Sequence, residues 1–198
     1  AALLSDKKVQ LKNVPDLLDT KSMLHLLKSL GVIVDKKLFK EKKVLNLNAH
    51  KITSLNAKYE LVRKMRASFL VLGPLLTRMG KAKVSLPGGC AIGTRPVNLH
   101  LQAMRKLGAS IYIEDGYVTA KSPRNGLVGN HIIFSNISVG ATENAIMAAV
   151  LAKGETLINN AAQEPEIVDL CNCLISMGAK ISGAGTSNII IEGINTFL

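Results

Sequence analysis

Hydrophobic residues along the chain fall into a pattern that is written three times. Leu27-Lys28-Ser29-Leu30-Gly31-Val32, Met104-Arg105-Lys106-Leu107-Gly108-Ala109 and Leu174-Ile175-Ser176-Met177-Gly178-Ala179 each read as the end of an amphipathic helix closed by glycine. Glycine suits that place because it enters the left-handed backbone region without a Cβ clash. A short strand-like stretch follows each glycine, at 32–34, 110–113 and 180–182, and a second strand returns at 44–47, 117–120 and 188–192. Upstream of each helix lies a further strand, at 9–11, 84–86 and 156–158, and the distance from its last residue to the glycine is 20, 22 and 20 residues. Matching elements at near-constant spacing mark an internal repeat. Before those strands lie segments apolar on most sides: a stub at Ala1, residues 67–79 and residues 141–152. Such segments predict buried helices. The expected architecture is one α/β domain of three units, about 1–50, 62–122 and 138–194, each helix-strand-helix-strand-strand, with central helices and outer sheets.

Composition narrows the class. The chain has 198 residues, 47% hydrophobic and 20% charged, enough for one globular domain that buries roughly 70% of its unfolded surface. Its longest stretch free of Lys, Arg, Asp and Glu, 125–142, is interrupted by Asn125, Asn130, His131, Ser135 and Asn136, so it does not read as a bilayer span. Nothing at its start reads as a secretory signal. It begins Ala1-Ala2-Leu3-Leu4, which reads as a helix cut part-way, and a fragment of a longer protein is the expectation. The net charge of +11 favours anionic partners. Five lysines between Lys36 and Lys43 read as a solvated turn, and aromatic residues at 4% with no Trp argue against stacked single strands. Neither nucleic acid nor membrane is expected as a partner.

The three cysteines, Cys90, Cys171 and Cys173, are an odd count without a signal peptide and point to a reducing cytoplasm. Cys171 and Cys173 sit in an apolar helical pattern without metal-spaced partners and read as core. Cys90 is different. It lies in Pro87-Gly88-Gly89-Cys90-Ala91-Ile92-Gly93-Thr94-Arg95-Pro96, whereas the other units have Lys12-Asn13-Val14-Pro15 and Asn159-Asn160-Ala161-Ala162 in the equivalent places. The fold alone does not require two adjacent glycines, a thiol and an arginine there. Glycines let main-chain amides approach a ligand, and positive charge favours thiolate. Arg95 offers a planar fork to phosphate or carboxylate, and Pro96 opens a helix through Leu107 whose first amides attract an anion. Arg66-Ala67-Ser68 and Ser138-Val139-Gly140-Ala141-Thr142 open the other two apolar helices. They place small polar residues at dipole ends that also attract anions, or serve only as a surface cation and a helix cap.

The Cys90 loop, Met65-Arg66-Ala67-Ser68, Ser138-Val139-Gly140-Ala141-Thr142 and Glu164-Pro165-Glu166-Ile167-Val168-Asp169 together resemble the UDP-N-acetylglucosamine 1-carboxyvinyltransferases of the enolpyruvyl transferase family, over nearly the whole chain. The resemblance implies two similar domains, each an inside-out α/β barrel of three repeats. It implies transfer of enolpyruvyl from phosphoenolpyruvate to the 3'-hydroxyl of UDP-N-acetylglucosamine with phosphate release, the first committed step of peptidoglycan precursor synthesis in the bacterial cytoplasm. No cofactor or metal is implied. Cys90 would give a proton to the enolpyruvyl methylene, carry a covalent phosphoenolpyruvate adduct and be alkylated by fosfomycin. Arg66 and Arg95 would hold the anionic substrates. Arg95, Pro96, Val97, Asn98 and Leu99, with Asn136, Ile137, Ser138, Val139 and Gly140, would line the sugar-nucleotide site, with His100 adjacent.

Asn98 stands where many members of that family have Asp, and Asn136 where some have a cation. The family's early Lys-Asn pair would precede Ala1, and its second domain, with a catalytic aspartate, would follow Leu198. The expectation is therefore a Cys-loop domain that does not turn over alone. Three alternatives remain open at this point: a shikimate-pathway enolpyruvyl transferase, which shares the barrel but lacks this Cys loop; a non-catalytic nucleotide-sugar-binding module; and a basic RNA-binding domain.

Overall fold

The computed structural model describes residues 1–63, 65–87 and 97–197. A 3-10 turn (Ala2–Leu4) leads into β1 (Lys8–Leu11), α1 (Leu18–Ser29), β2 (Ile33–Asp35), a single helical turn α2 (Phe39–Lys42) and β3 (Leu45–Asn48). The middle of the chain runs β4 (Asn56–Ala57), the one-turn α3 (Tyr59–Val62), a 3-10 stretch (Arg66–Val71), α4 (Leu72–Met79), β5 (Lys81–Ser85), α5 (Asn98–Lys106), β6 (Ser110–Glu114) and β7 (Tyr117–Lys121). Then come β8 (His131–Ile133), α6 (Val139–Ala149), β9 (Glu155–Asn159), α7 (Pro165–Ser176), β10 (Lys180–Ser182) and β11 (Asn188–Glu192).

The strands form three separate sheets, ordered β1-β3-β2, β4-β5-β7-β6 and β10-β11-β9-β8. In each, the strand before the long helix pairs antiparallel with the last strand, which pairs antiparallel with the strand after the helix. The second and third sheets each add a parallel edge strand, β4 on β5 and β8 on β9. Alternation sets the faces: Ala82 and Val84, Val118 and Ala120, Ile189 and Ile191 are buried, with exposed or half-exposed residues between them.

The three glycines after α1, α5 and α7 adopt φ of 105°, 95° and 110°. Each closes its helix with the same pair of bonds. Gly31 N–H reaches Lys28 C=O and Val32 N–H reaches Leu27 C=O; Gly108 and Ala109 reach Arg105 and Met104; Gly178 and Ala179 reach Ile175 and Leu174, all at 2.9–3.0 Å. This is the Schellman geometry, which satisfies carbonyls that a helix end leaves open and turns the chain into the next strand.

Two expected helices differ in the structure. The stub at Ala1 is the 3-10 turn: Ser5 is extended, and the Arg78 guanidinium donates to the carbonyls of Leu3, Ser5 and Ala49 at 2.8–2.9 Å, fixing the turn against α4. The segment 67–79 is not one α-helix. Pro74 has no N–H for the Leu70 carbonyl, and its ring crowds that carbonyl, so the α-helix starts only at Leu72 and the preceding residues wind as 3-10. The third apolar helix begins earlier than expected, at Val139, with Ser138 as a true cap: its Oγ accepts from Ala141 N–H at 3.4 Å.

The core sits between the sheets and around α6, whose residues Ala141, Thr142 and Asn144–Ala149 are all buried. The missing side chain of Gly73 lets α4 approach it very closely. A Cβ on Gly73 would lie 2.4 Å from Asn144 Oδ1 and 2.6 Å from the Asn144 carbonyl. Thr142 Oγ1 accepts from Ala162 N–H at 3.1 Å, fastening the approach to α7 onto the same helix. Cys171 is fully buried and Cys173 half-buried, and burial raises the pKa of both thiols, that of Cys171 to about 11. The five lysines from Lys36 to Lys43 are exposed around α2. Among the described residues, no helix is long and apolar enough to cross a membrane, and no cluster of three or more His, Cys, Asp or Glu could hold a metal ion.

Candidate functional site

Three elements start at one place. The 3-10 stretch at Arg66, α5 at Val97 and α6 at Ser138 open onto a cleft of about 380 Å³. Six of the residues singled out in the sequence line it: Arg66, Val97, His100, Ser138, Val139 and Gly140. Among the described residues, Ala67, Phe69, Leu70 and Glu143 also line it. Ala67 belongs to the helix start quoted above; Phe69, Leu70 and Glu143 were not anticipated, and the only signal was their place within one turn of Arg66 or Gly140. Asn98, Asn136 and Ile137 are exposed and outside the lining, and Leu99 packs half-buried against the core. Ser68, expected as a polar residue at a helix start, is buried, and its Oγ has no partner among the described residues. Cys90, Arg95 and Pro96 lie outside the described residues.

Local chemistry explains the wall. The first turns of α5 and α6 carry amides without intrahelical partners, and Ser138 takes one of them. Gly140 leaves room for the His100 ring, since a Cβ there would sit 3.2 Å from Cε1 and 3.4 Å from Nε2. His100 is buried and meets Phe69 edge-to-face at a centroid separation of 5.3 Å. Its Nδ1 lies 3.1 Å from Asn144 Nδ2. Burial, with the Arg66 guanidinium adding to it, holds the imidazole pKa down at about 4. Glu143 is pushed the other way: burial, with Glu166 adding, raises its carboxyl pKa. The cleft therefore presents an arginine, a neutral histidine and two helix starts, an arrangement suited to an oxygen-rich anion.

The His100 shift has a consequence for stability. Its pKa is about 6.5 when unfolded and about 4 when folded, so between those values the unfolded chain binds a proton that the folded chain does not. The stabilisation is complete above the unfolded value and is lost as pH falls through the folded one, about 3 kcal/mol in all. Urea midpoints at pH 7 and pH 4 should therefore drop less for His100→Gln than for the native chain. Equal drops would refute the assignment.

Comparison with known proteins shows the family. The chain is 57% identical over 196 residues to the UDP-N-acetylglucosamine 1-carboxyvinyltransferase of Zymomonas mobilis, covering 98% of this chain and 46% of that protein. The proteins of the same name from Paracoccus denitrificans and Cereibacter sphaeroides are 57% and 55% identical, with 98% of this chain and 45% and 46% of theirs covered. The chain thus spans less than half the length of the curated relatives it matches. Among solved structures, the enolpyruvyl transferase NikO from Streptomyces tendae superposes with a TM-score of 0.82 at 21% identity, over 98% of this chain and 44% of that one. The EPSP synthase of Acinetobacter baumannii gives 0.70 at 17% identity, over 100% and 44%. These two share the fold. The family model for EPSP synthase (3-phosphoshikimate 1-carboxyvinyltransferase) matches residues 1–197, and on that match the chain belongs to the EPSP synthase family of enolpyruvyl transferases.

Proposed function

We propose that this chain is the Cys-loop domain of a UDP-N-acetylglucosamine 1-carboxyvinyltransferase, acting in the bacterial cytoplasm together with a second domain of the same enzyme. In this reading each domain is an inside-out α/β barrel of three units, and the three sheets of like order described above support it. The observation that carries the function is the cleft: Arg66, Val97, His100, Ser138, Val139 and Gly140, chosen from sequence as substrate-binding residues, line one cavity. The names of the relatives, at 55–57% identity, support the same substrate.

Both substrates carry several negative charges, and the cleft answers with a cation and helix starts. Arg66 and Arg95 hold phosphate and carboxylate oxygens. Val97, Ser138, Val139 and Gly140 border the sugar nucleotide with His100 beside them, and the rest of 95–99 and 136–140 completes its contacts in this reading. Cys90 gives its proton to the methylene of phosphoenolpyruvate, which leaves an oxocarbenium-like carbon; the 3'-hydroxyl adds to that carbon and gives up its proton, and phosphate then departs as the new methyl loses a proton to restore the enol. A positioned acid is the group such a step needs.

The family also contains 3-phosphoshikimate 1-carboxyvinyltransferases, so acceptor choice is the decisive test. The full-length protein should release phosphate from phosphoenolpyruvate when UDP-N-acetylglucosamine is added and should not when shikimate 3-phosphate replaces it. Release with shikimate 3-phosphate alone would overturn the proposal.

A further inference from the structure

Among the described residues, Asn144 is the one polar side chain wholly enclosed in the middle of α6 that touches three other elements. Its Oδ1 accepts from Gly73 N–H at 2.7 Å, and its Nδ2 donates to the Phe69 carbonyl at 3.2 Å and lies 3.1 Å from His100 Nδ1. The amide has no freedom to turn over. Gly73 N–H is only a donor and the Phe69 carbonyl only an acceptor, so oxygen must face the first and nitrogen the second. The second hydrogen of Nδ2 then points at His100, and Nδ1 has to accept it. In a neutral imidazole the proton must therefore reside on Nε2. That nitrogen belongs to the ring edge lying against Gly140, at the first turn of α6.

We propose that Asn144 is a positioning residue that locks His100 as the Nε2–H tautomer, so that the ring offers the cleft a fixed N–H donor beside Gly140. The chain of constraint starts in two backbone groups of the neighbouring 3-10 stretch and α4, passes through one amide, and ends at the wall of the site. Arg66, from the 3-10 stretch, opposes a positive charge on the ring, while Glu143, from α6, lines the same cleft. What the N–H meets rests on the reading of the cleft as a sugar-nucleotide half-site; the tautomer itself does not.

The test reads the two imidazole nitrogens of His100 by long-range 1H–15N correlation in the ligand-free chain at pH 7. The native chain should show Nδ1 bare and Nε2 protonated. In Asn144→Asp the donor is gone and an acceptor faces the ring, so the proton should move to Nδ1 and His100 should titrate at higher pH. UDP-N-acetylglucosamine should then bind the full-length variant about tenfold more weakly, the effect of one lost hydrogen bond. A merely structural role would lower stability without moving a proton between the nitrogens. Protonated Nδ1 in the native chain, or unchanged nitrogens in Asn144→Asp, would overturn the proposal. If the variant does not fold, the native tautomer decides. The expected tautomer with no response of the full-length protein to UDP-N-acetylglucosamine would uphold Asn144 and sink the functional reading.

Discussion

Replacing Gly73 with alanine should destabilise the chain by about 3 kcal/mol, at the upper end of what one added methyl does in a packed interior. The new Cβ would stand 2.4 Å from Asn144 Oδ1 and 2.6 Å from the Asn144 carbonyl. A flexible side-chain tip could swing aside, but the carbonyl is part of α6 and moves only with the helix. For a domain of this size the expected fall in Tm is about 6–12 °C. Gly154→Ala separates this steric effect from backbone strain. Gly154 has a φ of +85°, and a Cβ there would meet nothing within 4 Å, so its variant should lose only about 1–2 kcal/mol. Calorimetry of the two variants checks the difference, and a Gly73→Ala loss no larger than that of Gly154→Ala would refute the close approach. The collision also pushes on the amide that holds His100, so the variant should perturb His100 resonances as well as stability.

Cys90→Ala in the full-length protein should lower UDP-N-acetylglucosamine-dependent phosphate release by about 10²–10⁴, the usual contribution of a positioned acid. The same substitution should abolish covalent labelling by fosfomycin within residues 1–198, measured as added mass on the peptides of that segment. The other two thiols make poor competitors for the label. Burial raises the pKa of Cys171 to about 11 and that of Cys173 above its ordinary value, which leaves little thiolate on either. Within residues 1–198, native protein should therefore gain one label and Cys90→Ala none. Label retained by the variant, or phosphate release within a few-fold of native, would remove Cys90 from the mechanism.

The repeat was legible because each unit ends its long helix with the same backbone requirement. A left-handed residue is needed at positions 31, 108 and 178, glycine meets it, and the spacing of three glycines carries the period. Strands with alternating burial, such as β7 and β11, were legible for a similar reason: one face is core and the other is not. The edge strands β4 and β8 were not. They are two and three residues long, and parallel pairing to β5 and β9 is decided by tertiary neighbours, not by any local pattern. Pro74 did hold a signal for the broken second helix, since a proline cannot continue the hydrogen-bond ladder back to Leu70. The site divided along the same line. Helix starts with small polar residues pointed to Arg66, Ser138 and Gly140, whereas Phe69, Leu70 and Glu143 line the cleft by virtue of folding alone. Asn144 was hidden by its company: one amide among alanines and aliphatics leaves the helix reading as apolar, and its partners are 44 to 75 residues away in sequence.

The near-complete enclosure of α6 also fixes how slowly that helix exchanges its protons with solvent. Residues Ala145 to Ala149 are at most 4% exposed, and α4, α5 and α7 all pack against this helix. Exchange with deuterium there requires the whole domain to come apart, so these amides report the global unfolding free energy, whereas the exposed turn at α2 exchanges through local fraying. The helix whose first turn forms the cleft is thus also the part of the chain that opens last.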